Sequence, residues 1–317
     1  MNNTFKYAIG IDLGGTFIKY GLVRMDGCLV YENKIPTQAN TNARKVIDNI
    51  IFSIKEVQEY AISQNIKPVG VGIGTPGIVD RTHRILIGLA NNIKGWSNVM
   101  LAVEIEKECK ITVVINNDAN LMGLGEQAFG AARNYSDVLF LTVGTGIGGS
   151  IIIDNKLFGG YDNRGAELGH IPLISNGIAC SCGKVGCLEA YASTTSLIKS
   201  YENKCKENGI QFTEEITGKL IVMHYFENKK LAIESINEHC DFLGRGIAGL
   251  INVFSPQRVV IGGGISEAGE FYIEKIQIAV NKSVVASCNV NTKVCVAELG
   301  NKAGILGAAK WAVLNNN

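Results

Sequence analysis

One pattern of strands and glycine turns occurs twice in this chain, and it constrains the fold more than any other feature. The first copy is an apolar run, a glycine turn, a second apolar run and a hairpin turn, at 5–13, 14–15, 17–23 and 25–27. The second copy has the same order about half a chain later, at 138–143, 144–149, 151–153 and 154–155. Asp-Gly and Asp-Asn turns between apolar runs are typical of tight hairpins. The repetition predicts two domains that each begin with antiparallel strands.

The segments between the two copies alternate helical and strand patterns. Apolar residues at helical spacing predict a helix over 42–64, and a buried-type strand is expected at Val69–Ile73. Ser97 is the expected cap of a helix that ends at Lys110, before a strand at Ile111–Ile115. This alternation indicates the α/β class. We expect domains at 1–117, completed by a C-terminal helix at 303–317, and at 118–302, around a central cleft.

Composition limits the classes of function. The 317 residues carry 30 Lys and Arg against 29 Asp and Glu, a net charge of +1. That balance argues against binding nucleic acid or a membrane surface through bulk charge, and no segment is long and apolar enough to span a bilayer. The N-terminal residues do not form a secretory signal, and the 9 cysteines cannot all be paired. We therefore expect a cytoplasmic protein whose cysteines fill the core or bind metal.

Both glycine turns suit the binding of anions. Around 12–16 and 144–149, backbone N–H groups are not shielded by a Cβ, and Asp12, Thr16 and Thr145 add oxygen atoms that can hold a cation or phosphate. Either turn alone could be an ordinary hairpin. Two turns in matching contexts favour the phosphate tail of a nucleotide. A third cluster, Gly262–Gly264, follows a strand and either accommodates a nucleoside or simply connects a strand to a helix.

A histidine and three cysteines form the most specific motif. His170, Cys180, Cys182 and Cys187 lie within eighteen residues, and Gly183 and Gly186 allow a tight loop between the cysteines. Three thiols and one imidazole make a closed tetrahedral zinc set, so the predicted zinc is structural. The alternative is a group of buried thiols without metal.

Three carboxylates occupy positions that suit catalysis or sugar binding. Asp118 follows an apolar strand, where it can accept a proton from a hydroxyl or, alternatively, cap the next helix. Glu167 and Glu189 flank the cysteine loop, where each could hold vicinal hydroxyls of a sugar or be a solvated surface acid.

Together these segments resemble the ROK family of repressors, unannotated reading frames and sugar kinases, over nearly the whole chain. The matching segments are IDLGGT at 11–16, GTPG at 74–77, NNIKGW at 91–96, NND at 116–118, GTGIGG at 144–149, GAELGH at 165–170, CSCGKVGCLE at 180–189 and GGGIS at 262–266. The resemblance implies two ribonuclease-H-like domains of the actin and hexokinase ATPase type, closing on a sugar and ATP.

The resemblance also implies a role for each matched residue. Asp118 would be the base for the sugar 6-hydroxyl, and the sugar would be held by Gly77, Asn92, Asn117, Asp118, Glu167, His170 and Glu189. ATP and Mg²⁺ would be bound by Asp12, Gly14, Gly15, Thr16, Thr145, Gly146, Gly148, Gly263 and Gly264. The structural Zn²⁺ would be held by His170, Cys180, Cys182 and Cys187, so His170 would serve both metal and sugar.

The predicted reaction is ATP-dependent phosphorylation of a hexose at its 6-hydroxyl, with glucose as the first choice. N-acetylglucosamine and N-acetylmannosamine kinases share the motifs, and polyphosphate is an alternative donor. A sugar-responsive repressor needs an N-terminal helix-turn-helix, for which we expect too little room before Asp12. The family resemblance further implies a homodimer.

Overall fold

The structure is a computed structural model that describes residues 5–88, 93–212, 214–289 and 291–316. The chain divides into two compact units. The first contains the chain up to Ser136, residues 150–166 and the chain from Glu298 onward; the second contains 137–149 and 167–297. The domain boundaries predicted at 117 and 302 stay predictions.

The first part of the chain forms a sheet and its helices. Its elements are β1 (Tyr7–Leu13), β2 (Phe17–Arg24), β3 (Leu29–Pro36), α1 (Ala43–Ser63), β4 (Val71–Thr75), β5 (Ile78–Val79), β6 (Leu86–Gly88), α2 (Leu101–Cys109), β7 (Val113–Asn117) and α3 (Asp118–Phe129). The five-stranded sheet has the order β3-β2-β1-β4-β7, with β5 and β6 forming a separate pair. Strands β1 to β3 are antiparallel, whereas β4 and β7 run parallel to β1 and to each other.

The rest of the chain contains the second sheet and its helices. Its elements are β8 (Val138–Val143), β9 (Ile147–Ile153), β10 (Lys156–Leu157), α4 (Leu188–Ala192), α5 (Thr194–Glu207), α6 (Gly218–Phe226), α7 (Lys230–Phe254), β11 (Arg258–Gly262), α8 (Glu270–Ser283), β12 (Lys293–Val296) and α9 (Ala303–Asn315). The sheet order β10-β9-β8-β11-β12 matches that of the first sheet, and β11 is parallel to β8 and β12. The repeated motif in the sequence therefore corresponds to a repeated sheet.

Helix α9 belongs to the first unit although it is the last element of the chain. A Cβ on Gly10 of β1 would lie 2.0 Å from the Ile305 carbonyl oxygen, and one on Gly72 of β4 would lie 1.8 Å from that of Ala308. Glycine in the two strands therefore lets the helix backbone rest directly on the sheet. Ile305 also joins a buried apolar cluster with Ala8 and Val114.

The structure confirms the α/β class and corrects one local prediction. Helix α1 starts after Asn42, whose side chain accepts the N–H of Lys45, close to the predicted start. Ser97 was predicted to cap the next helix, and this is wrong: α2 begins at Leu101 and its N-cap, Met100, makes no side-chain capping bond. Val99 instead forms a β-bridge with Leu86, which keeps the intervening residues out of the helix. Among the helices in the described ranges, none has the length and apolar content needed to cross a membrane.

Candidate active site

Three residues form a row across the carboxyl end of the first sheet. Asp12 of β1 pairs with Gly74 of β4, and Gly74 pairs with Asn116 of β7. Because adjacent strands are about 4.8 Å apart, the Cα atoms of Asp12 and Asn116 are roughly 10 Å apart. The carboxyl end of parallel strands is where α/β folds bind ligands.

Asp118 is the first residue of α3 and lies beside this row. A Cβ on Gly74 would be 3.5 Å from the Cα of Asp118, so Asp118 lies directly against the middle residue of the row. The Oδ1 atom of Asp118 accepts the N–H of Ala119 at 2.9 Å. The N-cap of the helix is Asn117, whose Oδ1 accepts from Ala119 and Asn120, so Asp118 is not the N-cap that the sequence left as an alternative role.

Asn117 also connects β7 to the turn after β4. Its Nδ2 donates to the Gly77 carbonyl oxygen at 3.3 Å, which brings together two residues predicted to hold sugar. Gly77 has φ +96°, a conformation that favours glycine. The turn is further fixed by Trp96, whose buried Nε1 donates to Thr75 Oγ1 at 2.9 Å. Asn92, another predicted sugar contact, lies outside the described residues.

The first glycine turn pairs a buried carboxylate with exposed backbone. Asp12 is 4 % exposed, and burial raises the pKa of its carboxyl, while Lys19, with its Nζ 3.6 Å from Asp12 Oδ2, opposes that shift. The N–H of Gly14 bonds to Phe17 within the turn. Gly15 and Thr16 are exposed and therefore accessible to a ligand.

The second glycine turn is closed by its own backbone and by α5. The Gly144 N–H donates to the Gly146 carbonyl oxygen at 2.9 Å, and the Gly144 carbonyl oxygen accepts the N–H of Thr194 at 2.9 Å. The hydroxyl of Thr195 donates to the Thr145 carbonyl oxygen at 2.9 Å. Thr145 itself is exposed at the tip of the turn, whereas Gly148 is half-buried in β9.

A cavity of about 570 Å³ adjoins this turn within the second unit. That volume is within the range of small-ligand pockets. Its walls come from the glycine turn, the start of α5, the start of α6 and the turn after β11, and include Gly144, Thr145, Thr194, Thr195, Thr217, Lys219, Gly264 and Glu267. Gly264 lines the cavity, whereas Gly263 packs against β8, where a Cβ would lie 2.1 Å from the Val143 carbonyl oxygen.

The predicted metal ligands converge in the second unit. The ligand atoms of His170, Cys180, Cys182 and Cys187 all lie within 4.8 Å of one another. The Sγ atoms of Cys182 and Cys187 are 3.7 Å apart, as are Cys180 Sγ and His170 Nδ1. Sulfur atoms bound to one tetrahedral zinc at about 2.3 Å are about 3.8 Å apart, so the spacing fits a zinc site. A disulfide would require about 2.05 Å.

Glycine conformations give the cysteine loop its shape. Gly183 and Gly186 have φ values of +82° and +77°, and a Cβ on Gly186 would lie 1.9 Å from the Ile174 carbonyl oxygen. The Cys180 N–H bonds to the Lys184 carbonyl oxygen at 2.8 Å, which folds the loop back on itself. The donor atoms therefore come from a segment with few regular elements.

Glu189 connects the cysteine loop to the second glycine turn. Its Oε2 accepts the N–H of Ile147 at 2.9 Å, and its Oε1 accepts the hydroxyl of Ser181 at 2.6 Å. Glycine at position 146 leaves room for Glu189, because a Cβ there would lie 2.4 Å from Glu189 Oε2. Nearby, Gly169 packs on the Ile147 carbonyl oxygen, which fixes the short 3₁₀ turn Leu168–His170 against β9. Glu167, at the start of that turn, is exposed.

Comparison with known proteins identifies the family. The family model described as the ROK family matches residues 8–314. The chain belongs to the ROK family. This confirms the resemblance drawn from the motifs.

Relatives of this ROK protein include enzymes and repressors. It is 37% identical to a glucokinase of Thermotoga maritima over 308 residues, covering 95% of each chain. It is 34% identical to a xylose repressor of Caldicellulosiruptor bescii, covering 99% of this chain and 79% of the repressor. A crystal structure of a ROK family glucokinase from Streptomyces griseus in complex with glucose and AMPPNP is 32% identical, with a TM-score of 0.82 and coverage of 97% and 99%. The likeness to that structure confirms the predicted pair of actin and hexokinase-type domains.

Several residues near the site of this ROK protein were missed by sequence reasoning. Thr194, Thr195, Thr217, Lys219 and Glu267 line the cavity but belong to no glycine or cysteine motif. Ser193-Thr194-Thr195 directly follows α4, and Ser193 caps α5, so a capping signal was present there. Thr217 likewise caps α6 by accepting the N–H of Leu220, but only the folded chain brings the start of α6 to the cavity.

Proposed function

We propose that this chain transfers the γ-phosphoryl group of ATP to the 6-hydroxyl of glucose. The match to a glucokinase over 95% of both chains supports a sugar kinase, and the Streptomyces griseus enzyme is related over nearly its whole length. The observation that carries the proposal is the position of Asp118, which follows the carboxyl end of β7 beside the row of Asp12, Gly74 and Asn116.

Asp118 acts as the general base. The sugar O6 forms a bond to the γ-phosphorus while the bond from that phosphorus to the bridging oxygen of ADP breaks. The proton of the hydroxyl passes to the carboxylate of Asp118. Phosphoryl transfer has a loose transition state, so correct positioning and charge neutralisation supply most of the catalysis.

Several residues supply the proposed contacts to the sugar. Asn117 and the backbone at Gly77 support the hydroxyl that reacts, because they contact each other next to Asp118. Glu167, His170 and Glu189 accept or donate hydrogen bonds to the remaining hydroxyls. Asn92 is proposed on the family resemblance alone.

The nucleotide is held by glycine turns. Gly15 and Thr16 present backbone N–H groups to phosphate oxygens, and Thr145 and Gly146 do the same from the second glycine turn. Gly14, whose own N–H bonds to the Phe17 carbonyl oxygen, lets the phosphates approach because it has no side chain. The cavity beside Gly264 accommodates the adenosine. Mg²⁺ commonly binds through one carboxylate and substrate phosphates, so the buried carboxylate of Asp12 would hold it, and the bound ion would neutralise charge on the phosphate oxygens.

Zinc bound by His170, Cys180, Cys182 and Cys187 has a structural role. Four protein ligands leave no position for a substrate or water, so the metal supplies folding energy to the loop. His170 contributes Nδ1 on the side of Cys180, which leaves its other ring nitrogen for a sugar hydroxyl. ATP as donor and thiolate ligands both fit a cytoplasmic enzyme, and the family resemblance adds a homodimer.

A coupled ADP-release assay tests the function. Purified protein with ATP and Mg²⁺ is offered glucose, mannose, fructose, allose, N-acetylglucosamine and N-acetylmannosamine, with polyphosphate as a second donor. We expect the highest kcat/KM with glucose and ATP. Turnover of an N-acetylhexosamine instead of glucose would identify that sugar as the substrate. No turnover with any sugar, together with a DNA gel shift at physiological salt, would favour a repressor.

A further inference from the structure

Glu126 is a buried carboxylate that no proposed step uses. It lies in the last turn of α3, is 0% exposed, and accepts three backbone N–H groups. Oε2 accepts from Ala131 at 2.9 Å and from Glu298 at 3.1 Å, and Oε1 accepts from Leu299 at 2.9 Å. A carboxylate this buried is tolerated only where hydrogen bonds replace water, and here the backbone supplies them.

These three bonds join two distant parts of the first unit. Ala131 follows α3 directly, whereas Glu298 and Leu299 lie just before α9, more than 170 residues later in the chain. Gly130 makes room for the carboxylate, because a Cβ there would lie 2.1 Å from Glu126 Oε2. Glu126 therefore fixes the entry of α9 to the end of α3.

The two helices also pack backbone against backbone. A Cβ on Gly125 of α3 would lie 2.3 Å from the Ala303 carbonyl oxygen, and one on Gly307 of α9 would lie 1.7 Å from that of Leu121. Interiors this close transmit displacements, because no flexible side chain lies between the helices to absorb them.

The N-terminal ends of both helices lie against the carboxylates assigned to catalysis. Helix α3 begins at Asp118, eight residues or about 12 Å before Glu126 along the helix axis. On α9, Gly304 packs on Asp12, where a Cβ would lie 2.6 Å from the carboxyl carbon. A shift of the entry of α9 relative to α3 would therefore change the distance between Asp12 and Asp118.

We propose that Glu126 is a positioning residue for phosphoryl transfer, which holds the base Asp118 and the phosphate-side carboxylate Asp12 in register through α3 and α9. This inference rests on the proposed kinase function. It predicts that loss of the three bonds lowers turnover without removing a group that touches either substrate. Small displacements of reacting groups cost large factors in rate.

The test compares Glu126→Gln with Glu106→Gln. A glutamine keeps the size of the side chain, but its NH₂ group cannot accept the N–H groups that Glu126 binds. Glu106 of α2 is a matched control in the same unit, because its carboxylate accepts the Val113 N–H at 2.9 Å and pairs with Arg84, so its hydrogen bonds join α2 to β7 and to the segment before β6. Both variants are assayed well below their melting temperatures.

We expect Glu126→Gln to lower kcat at least tenfold, roughly the effect of one misplaced group, while KM for glucose and ATP stays within about twofold. Glu106→Gln should change kcat less than twofold, and Glu126→Asp, which retains the charge, should recover part of the loss. Normal kcat in folded Glu126→Gln, or an equal loss in Glu106→Gln, overturns the proposal.

Two further measurements keep the result decisive. Hydrogen exchange should show faster exchange at Glu298, Leu299 and the first turn of α9 in Glu126→Gln only, and this readout does not depend on kinase activity. A wild-type protein without activity on any sugar would therefore refute the proposed function, whereas the hydrogen exchange would still test whether Glu126 holds the entry of α9. If Glu126→Gln does not fold, Gly304→Ala, which pushes α9 from Asp12, should reproduce the loss of kcat, and normal kcat there would refute the inference.

Discussion

The two glycine turns of the repeated motif are supported in different ways. The first follows β1, whose Asp12 is covered by the backbone of α9 at Gly304. The second is held at Ile147 by the side chain of Glu189, which also bonds to Ser181 in the cysteine loop. Helix packing therefore supports the first glycine turn, whereas a segment that fits a metal supports the second. Equal sheets can present equal turns while depending on different sources of stability.

Replacing the proposed base gives the largest expected effect and tests the role of the first unit alone. Asp118→Asn removes the proton acceptor but keeps the shape, so kcat should fall by about a thousandfold, with KM for glucose little changed. Steady-state kinetics measure this, with Asp48→Asn on the exposed face of α1 as the control. A variant with near-normal turnover would remove Asp118 as the base.

Loss of a metal ligand tests how the cysteine loop supports the second glycine turn. Cys182→Ser should lower bound zinc from about one per chain to none and raise KM for glucose roughly ten- to hundredfold, because the loop orients Glu189 and His170. Metal analysis and kinetics check both numbers, and Cys28→Ser, an exposed cysteine in the first unit, should change neither. Hydrogen exchange should increase within 167–189 only; a change spread over α3 and α9 would contradict the comparison.

Two helical glycines distinguish packing from free surface. Gly307→Ala places a Cβ against the Leu121 carbonyl oxygen and should lower the free energy of unfolding by about 3 kcal/mol. Gly249→Ala in α7 meets no atom within 4 Å and should raise it by up to about 1 kcal/mol through helix propensity. Denaturant unfolding measures the free energy of unfolding of both variants. If Gly249→Ala also lost stability, α7 would be packed at that position as tightly as α9 is at Gly307.

Acid should weaken the second unit through His239. This side chain is fully buried in α7 and bonds to the Tyr272 hydroxyl, and burial lowers its pKa to about 4 from an ordinary 6.5. The unfolded chain takes up a proton near pH 6.5 while the folded chain does not, so stability falls as pH falls through that window. The loss between pH 6.5 and about 5.5 should be about 1 kcal/mol. His239→Gln should remove that part of the pH dependence, and equal slopes for both proteins would refute it.

Sequence reasoning reached the features that depend on short motifs. The spacing of Cys180, Cys182 and Cys187 predicted the cluster, because the loop is local and its glycines fix its shape. The repeated strands and turns predicted both sheets for the same reason. The roles given to individual residues in sugar and nucleotide binding stay predictions.

Other features depend on residues that are distant in the chain. Nothing near Glu126 in the sequence indicates that Glu298 and Leu299 donate to it, since more than 170 residues separate them from Glu126. The cavity wall from Thr217 and Lys219 has the same origin. The cap predicted at Ser97 failed because a β-bridge at Val99 overrode a local preference.

The late position of α9 has a consequence for biosynthesis. A ribosome completes β1, β4 and α3 early, but the helix that covers Gly10 and Gly72 emerges only after the residues of the second unit have been made. Until then one face of the first sheet lacks its cover. The first unit therefore cannot complete its core until α9 has been synthesised. During that interval the uncovered face of its sheet is accessible to chaperones.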